Sequence, residues 1–441
     1  MKRGYSSPAA VTGGRSGIDV SLRRTLAALL VLAVFQATWV SAQTAMSSGS
    51  VPTDPPASVP RPVRIVTMPS GTAPPIGGVT SAGVQVSGVT TPVPAGFTTN
   101  INPGATLLLP EHAAALAAFN RAAAVWESHI SDPIVVNIDA DMAPLPAGVL
   151  GSTSSVLLQD DFDTVRNAMV DDAADEADDG IVAHLPTFAQ FSALVPDVEE
   201  GTFGLSGQIV ATKANFKALG YAGLDDEEAF GVSDGSITFS TNFNFDFDNS
   251  DGVSAGTWDF ETIAVHEIGH ALGFVSRVDY VDFLLSDLSG TFEGVDPEET
   301  VDLGVGALDM FCFQDDEPGK DPETEAEFTT HPRLLAPGNA RVFDQIDDHY
   351  DSDAESRMSE GRRFGDGRQA SHWKDNNLTS VLIGVMDPTF APRQYIPLSD
   401  SDLRAFDLIG YEITVPEPAT LMVLAIGGTG MMLRRGRARF S

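Results

Sequence analysis

Between Thr257 and Phe274 the chain reads Thr-Trp-Asp-Phe-Glu-Thr-Ile-Ala-Val-His-Glu-Ile-Gly-His-Ala-Leu-Gly-Phe, and no other stretch restricts fold and chemistry as tightly. Phe260, Ala264, Ile268 and Leu272 recur every fourth residue, which predicts a helix with an apolar stripe against a core. Asp259 is placed to cap its N-terminus, and Glu261 lies where the helix dipole favours negative charge. Gly273 is the expected helix-terminating turn. His266 and His270, four apart, share one face a turn from each other. Two imidazoles so placed can hold one Zn2+, and Glu267 beside them can take a proton from an attacking water. The plain alternative is two ordinary helix histidines; against it, histidine is scarce, with 8 in 441 residues.

A catalytic zinc site has three protein ligands and one open position. Three residues after Gly273 stands Ser276, whose hydroxyl is a poor donor. Asp279 and Asp282 follow closely, while His331, His349 and His372 lie farther along. A carboxylate can complete a two-histidine site, so Asp279 stays open as a donor beside the distant histidines.

His266 to Phe274 resembles the active-site helix of leishmanolysin-type metzincins. In that family an insertion separates the helix from a third histidine, which precedes a methionine-containing turn. Ala370-Ser371-His372-Trp373 followed by Gly384-Val385-Met386-Asp387-Pro388 is similar to that order, across a longer gap. The resemblance implies His372 as third metal ligand, Met386 packed beneath the metal, and Val275 to Gln369 as the insertion. It implies an α+β, metzincin-like zinc protease. Residues 101–273 would hold a mixed sheet and the zinc helix, and 274–413 a mostly irregular or helical C-terminal subdomain. The implied activity is endopeptidase cleavage of protein or peptide substrates. Two alternatives stay open: a surface matrix or adhesion protein with a structural zinc site, and a zinc hydrolase of non-peptide amides or esters.

Both ends read as processing segments. Arg23 and Arg24 precede the apolar run Leu26 to Phe35, and Val40-Ser41-Ala42 offers a cleavage site, so residues 1–42 read as a signal peptide. Residues 43–100 form a Pro/Ser/Thr-rich leader or linker. At the other end, Pro416-Glu417-Pro418 leads into an apolar stretch from Leu421 to Leu433 and then Arg434, Arg435, Arg437 and Arg439. That order closely resembles a PEP-CTERM sorting signal across 414–441. The resemblance implies transient membrane insertion of this segment as a transmembrane helix, removal by an exosortase-type enzyme, and delivery to the bacterial surface.

The net charge of -35 argues against nucleic acid or anionic lipid as main partners, because its field repels phosphate. A single cysteine, Cys312, excludes an internal disulfide and a multi-thiolate zinc site, and reads as a buried small hydrophobe. Leu116, Phe119, Ala123 and Trp126 predict a helix, Ile134 to Ile138 a strand, and Asp161 to Met169 a second helix. Asp171 to Asp179 reads as a solvated acidic face or loop. Phe239, Thr241, Phe243, Phe245 and Phe247 alternate with polar residues from Ile237 to Asp248, which predicts a half-buried strand able to edge a cleft. There Asp246, Asp248 and Asp251 offer carboxylates to Ca2+ without EF-hand spacing; a polar strand face with a turn is the other reading. Leu403, Ala405, Phe406 and Ile409 predict a last helix ending near Gly410.

Overall fold

The computed structural model describes residues 96–175, 179–194, 203–227, 229–282, 301–314, 321–343 and 356–414. The expected signal peptide, nearly all of the leader and the sorting tail after Thr414 therefore lie outside the described residues, as does His349.

Helices and sheets are mixed, as an α+β reading requires. Strands β1 (Thr98–Pro103), β2 (Val135–Ala143), β3 (Gly151–Ser155) and β6 (Gly235–Ser240) form one sheet in the order β1-β2-β6-β3. The first three run parallel, and β3 is antiparallel at the outside. Helices α1 (Ala113–Glu127) and α4 (Phe260–Leu272) pack on this sheet and on each other. Their contact is aromatic: Phe119 meets Phe239 at 5.2 Å between ring centres, and Phe239 meets Phe260 at 4.4 Å. Trp126 of α1 donates its indole N–H to the Val265 carbonyl at 3.0 Å, so the polar edge of a fully buried ring is satisfied by the α4 backbone.

A second sheet joins β4 (Leu157–Asp161), β5 (Phe203–Thr212) and β9 (Val301–Gly306) in the order β4-β5-β9. Helix α2 (Phe162–Asp172) starts at Asp161, whose carboxylate accepts from the Thr164 amide at 3.0 Å, and α3 (Lys213–Ala218) follows β5 directly. Two-residue strands β7 (Phe245–Asp246) and β8 (Trp258–Asp259) pair in parallel. Beyond them, β10 (Cys312–Gln314), β11 (Arg341–Phe343) and β12 (Arg357–Met358) form a small antiparallel sheet. The last helix, α5 (Asp400–Leu408), ends before Gly410, which takes a φ of 103°.

Among the described residues the part after Gly273 is mostly irregular and helical, while β9 joins the second sheet and β10, β11 and β12 form a small sheet of their own. Strands of two or three residues are too short to display period-two alternation, so their sequence carries no strand signal. Two expectations need correction. The predicted strand from Ile237 to Asp248 breaks after Ser240, and β6 lies inside its sheet rather than at an edge. Phe243 instead packs on Trp258 at 5.0 Å, and Phe245 and Phe247 pack on Phe260 at 5.4 and 5.1 Å. Alternation reports a shared apolar face, and here an aromatic cluster provides it, with a ladder limited to β7 and β8. Asp179, finally, is buried against Arg404 rather than solvated.

The Asp246 carboxylate accepts from the Ser254 and Asp248 amides at 2.7 and 3.0 Å, and Asp248 accepts from Ser250 at 3.3 Å. These bonds fix turns. No helix among the described residues is long and apolar enough to cross a membrane.

Candidate metal centre and active site

Helix α4 begins as its sequence dictates. Asp259 accepts from the Thr262 amide at 3.0 Å and from its hydroxyl at 2.6 Å, capping the N-terminus. From Thr262 to Leu272 every residue is buried, so the helix is enclosed on both its apolar and its histidine faces. The surrounding strands hold it through hydroxyls: Thr153 Oγ1 lies 2.9 Å from the Glu267 carbonyl oxygen, Ser155 donates to His270 at 2.8 Å and Thr212 to Leu272 at 2.8 Å. These bonds set the rotation of α4 against β3.

Gly273 then ends the helix with a φ of 151°, where a Cβ would come within 2.9 Å of Ile409 Cδ1. Glycine is needed both for the angle and for the space. The turn brings the Phe274 carbonyl to His270 Nδ1 at 2.8 Å.

The same arrangement recurs at each histidine of the site. His266 Nδ1 meets the Val385 carbonyl at 2.8 Å, and His372 Nδ1 lies 3.3 Å from the Gln369 carbonyl. A carbonyl can only accept, so each Nδ1 carries the hydrogen and each Nε2 presents its lone pair. Those Nε2 atoms face one another: His270 is 3.1 Å from His266 and 3.2 Å from His372. Tetrahedral Zn2+ with bonds of about 2.0–2.1 Å needs nitrogens roughly 3.3 Å apart, so the donor set fits that ion. All three rings are buried, and among the described residues they are the one group of three or more such side chains close enough to share a metal.

Asp279 is not part of this group. It accepts from the Ala370 amide at 2.7 Å and from the Ser371 amide and hydroxyl at 3.0 and 2.5 Å, and burial pushes its carboxyl up to about 6. It holds the loop that carries His372. Ser276 belongs to the same support: its hydroxyl donates to Asp309 at 2.6 Å, and its amide donates to the Ser371 hydroxyl at 2.9 Å. Asp309 is in turn paired with the fully buried Arg341 at 2.8 Å. Residues from the segment read as an insertion thus fix the approach to the third histidine. His331 lies in the described residues but outside the histidine group.

Met386 is fully buried under α4, where a Cβ on Gly269 would sit 2.6 Å from its sulfur. Its turn also supplies the Val385 carbonyl to His266. The unforeseen residue here is Asp402 of α5. Its carboxylate accepts from the Val385 amide at 2.7 Å, the Met386 amide at 3.3 Å and the Trp373 indole at 2.8 Å. The Ser399-Asp402 capping box is readable as a helix start; its use as a clamp on a distant turn is not.

Glu267, 1% exposed, lies against β3: the Thr153 hydroxyl donates to its Oε2 at 2.6 Å. Cys312 is buried and donates to the Leu308 carbonyl at 3.5 Å, and burial pushes its thiol up to about 12, which makes it inert packing.

The PEP-CTERM protein-sorting motif matches residues 414–437. It marks an exported, surface-directed bacterial protein and is the substrate of exosortase-type processing. Comparison with curated proteins and with solved structures finds no match.

Proposed function

We propose that the protein is an exported zinc-dependent endopeptidase of metzincin-like fold. The observation that carries this reading is the convergence of three Nε2 atoms, each ring oriented by a carbonyl, beside a buried glutamate adjacent to one of them. Zn2+ held by His266, His270 and His372 would supply a Lewis acid that polarises the scissile carbonyl and acidifies water. Glu267 takes the proton of the attacking water and passes it to the leaving nitrogen. The rings are turned by backbone carbonyls of Val385, Phe274 and Gln369, a second layer that keeps each imidazole in its donor tautomer.

Substrate binding falls to β3 in place of the 239–248 segment, since β3 is the outer strand of its sheet and packs against α4. An extended peptide laid along β3 would add a strand, with backbone bonds for affinity. Three protein donors leave one position open, whereas structural sites close with four, which favours catalysis over a structural zinc. The test pairs zinc stoichiometry with casein hydrolysis. One zinc per chain and chelator-sensitive cleavage are expected; zinc without cleavage of protein, but with cleavage of simple amides or esters, would replace the endopeptidase reading.

A further inference from the structure

Resting on that reading, we propose that Thr153 is the positioning residue of the general base: its hydroxyl, 2.6 Å from Glu267 Oε2, sets the carboxylate's orientation. Two observations on β3 converge on this one side chain. Thr153 is buried and points at α4, where its oxygen also lies 2.9 Å from the Glu267 carbonyl oxygen. Two residues earlier, on the same face of the strand, stands Gly151, where a Cβ would come within 2.5 Å of Glu267 Oε1 and 2.9 Å of its Cγ. One residue supplies a bond to the carboxylate, and the other leaves the room that the carboxylate fills. A glutamate side chain has three rotatable bonds, and a base must sit within hydrogen-bond reach of the proton it takes. Strand β3 fixes those bonds through one hydroxyl that touches both the backbone and the carboxylate of Glu267.

A hydroxyl suits the task better than an amide or a cation. It donates to Oε2 while the carboxylate is ionised. It can accept from Oε2 once the carboxyl holds a proton, its own hydrogen turning to the Glu267 carbonyl oxygen. The bond between Thr153 and Oε2 is then kept in either state. The strand proposed to bind substrate is also the strand that orients the base, so a peptide seated along β3 and the attacking water are referred to one backbone.

The experiment compares Thr153→Val and Thr153→Ser with Tyr411→Phe, which removes a buried hydroxyl bonded to the α4 backbone at Leu272. Each purified full chain is assayed for zinc content, thermal midpoint and casein hydrolysis, and the valine variant is crystallised. Thr153→Val should keep one zinc per chain, lose about tenfold to a hundredfold in kcat with KM within twofold, and show the Glu267 carboxylate rotated away from β3. Thr153→Ser should restore kcat. Tyr411→Phe should lower the midpoint as Thr153→Val does, with kcat within twofold of the parent. Wild-type kcat in the valine variant, an equal kcat loss in Tyr411→Phe, or an unmoved Glu267 in the crystal overturns the assignment. A parent protein that binds zinc but cleaves no casein overturns the endopeptidase reading instead, and the crystal still decides the role of Thr153.

Discussion

The Asp402 carboxylate and the Trp373 indole meet at 2.8 Å, 29 residues apart, inside the core. Trp373 follows the third histidine directly, and Asp402 also holds the Val385 and Met386 amides of the methionine turn. One side chain on α5 therefore ties the His372 loop to the turn whose Val385 carbonyl orients His266. Asp402→Ala should weaken zinc affinity by about 10–100-fold, the range for losing a group that orients metal ligands. Competition with a graded chelator measures it; parental affinity would remove Asp402 from the support of the site.

Glu267→Gln keeps the shape of the side chain and removes its capacity to take a proton. Zinc content should stay at one per chain, while turnover falls by about 10²–10⁴-fold. Near-parental hydrolysis by the purified variant would end the assignment of Glu267 as base.

Removal of a true ligand should differ from removal of its support. His372→Ala should lose zinc on dialysis, because the remaining pair must recruit water instead. Asp279→Ala should retain zinc with reduced affinity, since Asp279 holds the Ala370–Ser371 backbone and not the metal position. His331→Ala should bind as the parent does. Stoichiometric zinc in the His372 variant, with loss in the Asp279 variant, would exchange the two roles and sink the metzincin-like arrangement.

A separate pair of carboxylates contributes to pH dependence. Burial pushes Asp132 and Asp172 up to about 7, each also raised by the charge of Glu412, while Asp132 accepts from the Glu412 amide at 2.9 Å. An acid whose folded value lies above its unfolded value of about 3.9 favours the folded state fully at low pH and loses that contribution as pH rises toward 7. Asp132→Asn keeps an acceptor for the Glu412 amide and cannot ionise. Its thermal midpoint should exceed the parent's at pH 8 and match it at pH 4. Equal midpoints at both values would exclude the effect.

The sorting motif begins where the described fold stops. The Thr414 amide donates to the His129 carbonyl at 2.7 Å, and Ile413 bridges to Ile130. Removal of the chain beyond this point leaves those bonds in place, and protein released from the surface should lack the tail after roughly Pro416. Mass spectrometry decides it: an intact end at Ser441 would refute processing.

Local chemistry made the centre of the site legible. Helical spacing alone puts His266 and His270 on one face with Glu267 beside them, and Asp259 and Gly273 bound that helix through effects confined to one turn. The same locality explains α1, α2, β2 and α5, whose apolar periods are long enough to read. The third histidine came from a resemblance in order, not from any period, because nothing at position 372 records its distance from 270. Tertiary structure alone decided which carboxylates bind what. Asp279 and Asp402 look alike in sequence to dozens of acidic neighbours, yet one clamps the His372 loop and the other the methionine turn, each through backbone amides that carry no side-chain signature. Thr153 reaches Glu267 across 114 positions, and Gly151 makes room for it, for the same reason: hydroxyl-to-helix bonds depend on how a strand and a helix pack. The aromatic run after Ser240 shows the limit from the other side. Its alternation was real, but an apolar face can be satisfied by edge-on and tilted ring packing on Trp258 and Phe260 as well as by a long ladder, and only the packed core selects between them.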